Sequence, residues 1–132
     1  MLSAIMIALS SALVVTVAPS QSHQHKNSIY GVVLDAAGNC YVAFNTHGPI
    51  TFTGVGVFPA HPDGSGGIAK FGPDGTVEWV RIIPASASSG LRAIAIDASA
   101  NVYVTGWLRH TPPGDQFETG VLLAKYDSSG ND

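Results

Sequence analysis

The chain has 132 residues, of which only 11% are charged, with a formal net charge of −3 and one cysteine. Once an N-terminal targeting segment is set aside, about 100 residues remain, enough for one modest core. So few cations exclude electrostatic capture of nucleic acid or anionic lipid, and a single cysteine excludes an internal disulfide.

From Leu2 to Ala18 the chain reads LSAIMIALSSALVVTVA, apolar and uncharged, until Pro19 closes the run ahead of the polar stretch QSHQHKNS. Its length and the small residues Ala18 and Ser20 predict a signal helix over residues 1–20, cleaved ahead of Gln21 or retained as an N-terminal anchor. No Lys or Arg precedes the run, so the positive end comes from the α-amino group or from residues upstream. Export places the rest of the chain at the cell surface or in the medium. Residues 21–29 then form a polar linker. A chain starting Gln21-Ser22-His23 has a free amine and a third-position histidine that together suit square-planar Cu(II) or Ni(II), although His23 and His25 fit an unstructured linker better.

The remainder contains an internal repeat. Gly31–Phe44, GVVLDAAGNCYVAF, aligns without gaps with Ala93–Gly106, AIAIDASANVYVTG, sharing Asp35/Asp97, Asn39/Asn101, Tyr41/Tyr103 and Val42/Val104. Ile68–Gly75, IAKFGPDG, returns as Leu123–Gly130, LAKYDSSG, sharing Ala69/Ala124, Lys70/Lys125 and Gly75/Gly130. The first pair is separated by 62 residues (35 to 97) and the second by 55 (70 to 125), so length varies in the connecting loop. Repeat architectures behave this way when each unit is one supersecondary element.

Each unit reads as two hairpins. Asp35-Ala36-Ala37-Gly38-Asn39 turns the first, and Pro73-Asp74-Gly75 turns the second, with Pro presetting φ and Gly accepting the left-handed position. Consecutive apolar residues in Val32-Val33-Leu34 and Tyr41–Phe44 predict a first hairpin covered on both faces. Thr76–Ile83, where Glu78 and Arg81 interrupt the apolar residues, predicts a strand nearer solvent. Cys40 occupies the place of Val102 and reads as a small buried apolar side chain. The expected fold is all-β, built of four-stranded antiparallel propeller-type blades, with one complete blade in residues 30–90 and an incomplete one in 91–132.

The D-x-x-G-N-x-Y-V hairpin (Asp35, Gly38, Asn39, Tyr41, Val42), a variable loop containing Phe58-Pro59, and the A-K-F-x-P-D-G-x-x-x-W hairpin (Ala69, Lys70, Phe71, Pro73, Asp74, Gly75, Trp79) together resemble the SBBP family of bacterial β-propeller repeats. The resemblance covers nearly everything after Ser28. In the second unit Ala100 replaces Gly38, and Ser128-Ser129 replaces Pro73-Asp74. It implies a secreted or surface protein of bacterial origin. The last residues, Tyr126–Asp132, match the turn that in the first unit precedes strand Thr76–Ile83, so the chain reads as a truncated gene product whose remaining blades lie elsewhere. Closure across several copies is the alternative.

No residue is assigned to catalysis, a cofactor or a metal. Asp63-Gly64-Ser65-Gly66-Gly67 lacks the alternating oxygens of a Ca²⁺ loop and reads as a flexible turn. Asp35 and Asp97 already have turn-capping work. His47, His61 and His110 fall in loops between hairpins, with no nucleophile at a suggestive spacing, and Trp79 and Trp107 read as packing residues. The expected function is an exported, non-catalytic module that binds a macromolecule or glycan or acts as a scaffold. The alternatives are part of a secreted propeller lyase or hydrolase, and a structural stalk.

Overall fold

The computed structural model describes residues 4–9, 11–17, 27–112, 114 and 118–132, with side chains described from Asn27 onward. The described residues form only strands: β1 (Ala4–Leu9), β2 (Ser11–Val17), β3 (Ser28–Leu34), β4 (Cys40–Thr46), β5 (Ile50–Phe52), β6 (Gly56–Phe58), β7 (Ser65–Phe71), β8 (Val77–Ile82), β9 (Ser88–Ile96), β10 (Val102–His110) and β11 (Glu118–Tyr126). All pairings are antiparallel.

A four-stranded sheet runs β3-β4-β7-β8 and a three-stranded one β11-β10-β9. Their registers match. Tyr41 faces Lys70 as Tyr103 faces Lys125, and Cys40 faces Phe71 as Val102 faces Tyr126. Alternation along the strands gives each sheet two faces. On the four-stranded sheet, Cys40, Val42, Phe44, Ala69, Phe71 and Val80 form one face, which packs against Ile50 and Phe52 of β5 and Phe58 of β6. Phe52 lies at the centre of this cluster, its ring 5.9 Å from Phe44, 5.7 Å from Phe58 and 6.3 Å from Phe71. The opposite face, with Tyr41, Ala43, Ile68 and Trp79, packs against Leu91, Val102, Val104, Leu122 and Tyr126 of the three-stranded sheet. The second sheet therefore sets its Val102 face on the Tyr41 face of the first.

Three sequence expectations change. The N-terminal helix is absent: β1 and β2 pair from Ala4↔Thr16 to Leu9↔Ser11, and β2 continues onto β5. A short apolar run does not by its periodicity distinguish helix from strand, and Ile5, Ile7, Val14, Val15, Thr16 and Val17 are β-branched residues that favour strand. Among the described residues no helix is long and apolar enough to cross a membrane. Second, the first hairpin is not covered on both faces. β4 is buried along nearly its whole length, but β3 is the edge strand, and Val32 and Leu34 are 47% and 57% exposed. Third, the connecting loop contains a hairpin of its own, β5–β6, turned where the Val55 amide donates to the Phe52 carbonyl. The solvent-side reading of β8 holds, with Trp79 and Val80 buried and Glu78 exposed.

Candidate functional site

Among the described residues one turn shape occurs four times. In Asp35–Asn39, Gly72–Thr76, Asp97–Asn101 and Asp127–Asn131, the first amide donates to the fifth carbonyl and the fourth amide donates to the first carbonyl, at 2.8–3.1 Å. The fourth residue is left-handed each time, at φ 85° for Gly38, 84° for Gly75, 61° for Ala100 and 81° for Gly130. This is a type I turn closed by a one-residue bulge, the usual geometry of a three-residue hairpin loop. Ala100 alone carries a Cβ in that conformation.

In three of the four, an aspartate organises the turn. Asp35 Oδ1 accepts the Ala37 and Asn39 amides, both at 2.9 Å, while Oδ2 accepts the Asn39 side chain at 2.7 Å and the Tyr41 hydroxyl at 3.1 Å. Asp97 repeats all four bonds with Ser99, Asn101 and Tyr103. Asp127 repeats three, with Ser129 and Asn131. Burial works against the charge on Asp35, but the donors from Asn39, Tyr41 and Ala37 outweigh it and hold its pKa below the ordinary value. The Asn101 side chain chiefly lowers Asp97, and the Asn131 amide chiefly lowers Asp127. Tyr41 is pushed well up, first by burial and then by its bond to Asp35 and the charges of Asp35 and Glu78. Asp35 and Asp97 also border a groove of about 530 Å³ with Leu34 and Ile96, but their oxygens are turned into their own loops. The turn-capping reading of these aspartates matches the geometry.

The Asp127 turn has a further role that sequence reading missed, because its partners are far away in the chain. It sits on the first sheet. The Ser128 carbonyl accepts Lys70 Nζ and Trp79 Nε1, each at 3.1 Å, and the Gly130 carbonyl accepts Arg81 Nε at 2.7 Å. Lys70, 7% exposed, also pairs with Glu78 at 2.6 Å and lies 5.6 Å over the Tyr41 ring. Tyr41 meets Trp79 edge-on at 6.0 Å, and Arg81 lies 5.8 Å over Trp79. Gly130 is required twice over, since its φ is left-handed and a Cβ there would stand 2.8 Å from the Trp79 ring. Two further bridges hold β9 to the first sheet: Asn45 exchanges two hydrogen bonds with the Leu91 backbone, and Ser89 Oγ accepts the Gly66 amide while donating to the Ile83 carbonyl.

The other candidates are scattered. His61 Nδ1 accepts the Asp63 amide at 3.1 Å in a turn closed by Gly64, while Ser65, Gly66 and Gly67 belong to buried β7 and not to a flexible turn. His110 ends β10, and its Nδ1 lies 2.6 Å from Ser86 Oγ, a pairing across 24 residues that no local spacing reveals. Ser86 Oγ also accepts the Thr111 amide at 3.2 Å, so the pair staples the β8–β9 connection to the end of β10. His47, just past β4, donates its backbone amide to Asn27 Oδ1 at 3.0 Å, just before β3. Trp79 is buried as expected, whereas Trp107 lies within β10, under Arg109. Cys40 is buried, and burial raises its thiol pKa. Among the described residues no three His, Cys, Asp or Glu side chains gather as metal ligands. His23, His25 and the Ala18–Gln21 cleavage region lie outside the described residues.

No family model matches the chain, and no curated protein matches it.

Proposed function

We propose that the chain is an exported, non-catalytic β-propeller-type repeat module, serving as a scaffold or binding surface for a macromolecule or glycan at the bacterial surface. The Asp127 turn seated on Lys70, Trp79 and Arg81 carries this reading, because it joins two like sheets face to back in a way that further sheets can repeat. The resemblance of Asp35–Val42 and Ala69–Trp79 to SBBP repeats supports it. So does the placement of the His61 and His110 side chains, which are engaged in holding their own connections together. Residues 2–18 supply the export signal in this reading, through apolar character and small terminal residues.

Expression of the whole chain in a bacterial host, followed by fractionation and N-terminal sequencing, tests export. Recovery outside the cytoplasm with Gln21 first is expected; a cytoplasmic product that keeps Met1 overturns this part. The non-catalytic part is tested on ester, glycoside and uronate substrates. Turnover lost on His110→Ala or Ser86→Ala replaces it with the hydrolase or lyase reading.

A further inference from the structure

We propose that Tyr30 and Arg92, the residues that two matching β-bulges turn out of the edges of β3 and β9, form a binding site for the carboxylate of an acidic sugar, a uronate unit within a glycan. This rests on the binding-module reading above and names its ligand.

Both edges carry one extra residue at the same place. On β3, Ile29 faces Phe44 and Gly31 faces Ala43, so Tyr30 falls out of register with β4. On β9, Leu91 faces Gly106 and Ala93 faces Thr105, which leaves Arg92 out of register with β10. Tyr30 and Arg92 are separated by 62 residues (30 to 92), the spacing of Asp35 and Asp97, so the bulge belongs to the repeated unit while its side chain differs. A bulge takes one residue out of the ladder and re-aims its side chain. A third bulge, on β8, shows what this does for a charge: Glu78 is out of register between Val77 and Trp79, and its carboxylate meets Lys70 at 2.6 Å.

The two re-aimed side chains meet. Arg92 lies 5.5 Å over the Tyr30 ring, and its Nη1 is 3.5 Å from the Tyr30 hydroxyl. Gly31 allows this approach, since a Cβ there would stand 2.7 Å from Ile94 Cγ2 and hold β3 away from β9. Both side chains stay open to solvent, Tyr30 at 38%. Unlike the bulged Glu78, the bulged Arg92 pairs with no carboxylate among the described residues.

The chemistry of the pair selects the ligand. A guanidinium presents parallel N–H donors that match the two oxygens of a carboxylate. The tyrosine hydroxyl, donor and acceptor together, suits a ring hydroxyl beside that carboxylate, and a uronate carries the two side by side. The chain's net charge of −3 supplies no attractive field, so recognition is local to this fork. An acidic peptide fits less well, because the bulges break the row of edge N–H and C=O groups that strand addition needs, on both strands at once.

The probe is a galacturonate hexamer titrated into the full chain and followed by calorimetry. Saturable binding is expected, and the methyl-esterified hexamer, which keeps the rings and loses the charge, should bind about tenfold more weakly or worse, as the loss of a charge-assisted contact implies. Arg92→Ala should weaken hexamer binding about tenfold, and Arg92→Lys should recover only part of it, since an ammonium lacks the fork. Tyr30→Phe should cost about fivefold, the effect of one hydrogen bond. Both positions are exposed, so the urea midpoints of these variants should match the parent. No saturable binding, or equal binding of acid and ester, overturns the proposal. So does equal binding of a glutamate hexapeptide, which names an acidic peptide as the occupant. Hexamer binding that survives Arg92→Ala overturns this site and leaves the binding-module reading standing, whereas a chain that binds neither acidic, esterified nor neutral glycans removes the glycan-binding reading as well.

Discussion

Ala100→Gly should stabilise the protein. The four turns share one backbone, and three use glycine at the left-handed position, so Ala100 at φ 61° carries a steric cost that its counterparts avoid. That cost is about 1–2 kcal/mol for a residue with a Cβ. Glycine also loosens the unfolded chain, which offsets about 0.4–1 kcal/mol. A net gain of about 0.5–1 kcal/mol remains, or a rise of about 4 °C in midpoint for a domain of this size. Gly38→Ala is the mirror experiment. The nearest atoms to its new Cβ are those of Pro73 at 3.8 Å, an ordinary contact, so the loss there is purely conformational and should match the gain at position 100. Gly130→Ala adds a collision with the Trp79 ring at 2.8 Å and should cost more than twice as much as Gly38→Ala. Urea denaturation of the three variants, followed by circular dichroism, gives the ranking. Should Ala100→Gly prove neutral or destabilising while Gly38→Ala is costly, the common-turn account is wrong.

Further outcomes follow from the same geometry. Tyr41→Phe, which strips the fully buried hydroxyl from Asp35, should cost about 1–2 kcal/mol in urea titrations, and more than Tyr103→Phe, whose ring is only half buried. Lys70→Ala leaves the Ser128 carbonyl and Glu78 without a cation; because Glu78 is 40% exposed, the loss should be about 2 kcal/mol and not the full cost of breaking a buried pair. Asp35, Asp97 and Asp127 have folded pKa values below the unfolded value, so the stability they add is complete above about pH 4 and is lost as pH falls through the depressed folded values. Urea midpoints from pH 7 to pH 2 should therefore drop only on the acid side, and Asp97→Asn should flatten the drop. Cys40 should resist a thiol reagent in the native state and react fully in denaturant, as a buried thiol with a raised pKa does.

What the sequence reveals here is local. Asp35, Gly38, Asn39 and Tyr41 lie within seven residues, and their turn chemistry is readable because each partner is a near neighbour in the chain. Lys70, Trp79 and Arg81 reach carbonyls 49–58 residues away, and a backbone carbonyl has no signature in the sequence, so their joint role emerges only from the packing. The β5–β6 hairpin escaped for a different reason. Its strands are three residues long and sit among Gly, Thr and Pro, where propensity favours loop; burial of Ile50 and Phe52 against Phe44 and Phe71 decides the matter. β3 misled in the other direction, because Val32-Val33-Leu34 reads as a doubly covered strand, yet the sheet order puts it on an edge.

The direction of the stacking limits how such sheets can assemble. The Val102 face of the second sheet lies on the Tyr41 face of the first, so the contact is heterologous, and each sheet offers one face of each kind. On the first sheet both faces are occupied, one by the second sheet and the other by the β5–β6 hairpin through Phe52 and Phe58. Among the described residues the second sheet is covered on its inward face, and its outward face keeps Leu123 and Val121 in solvent; on the capped face of the first sheet the β5–β6 hairpin stops short of the β3 edge, where Val32 and Leu34 stay partly exposed. A heterologous contact never satisfies itself: it must close into a ring, be capped, or propagate. The β5–β6 hairpin caps one end of this pair. At the other end of the pair, the outward face of the second sheet keeps Val121 and Leu123 exposed, the large apolar side chains that this stacking leaves most open to solvent among the described residues.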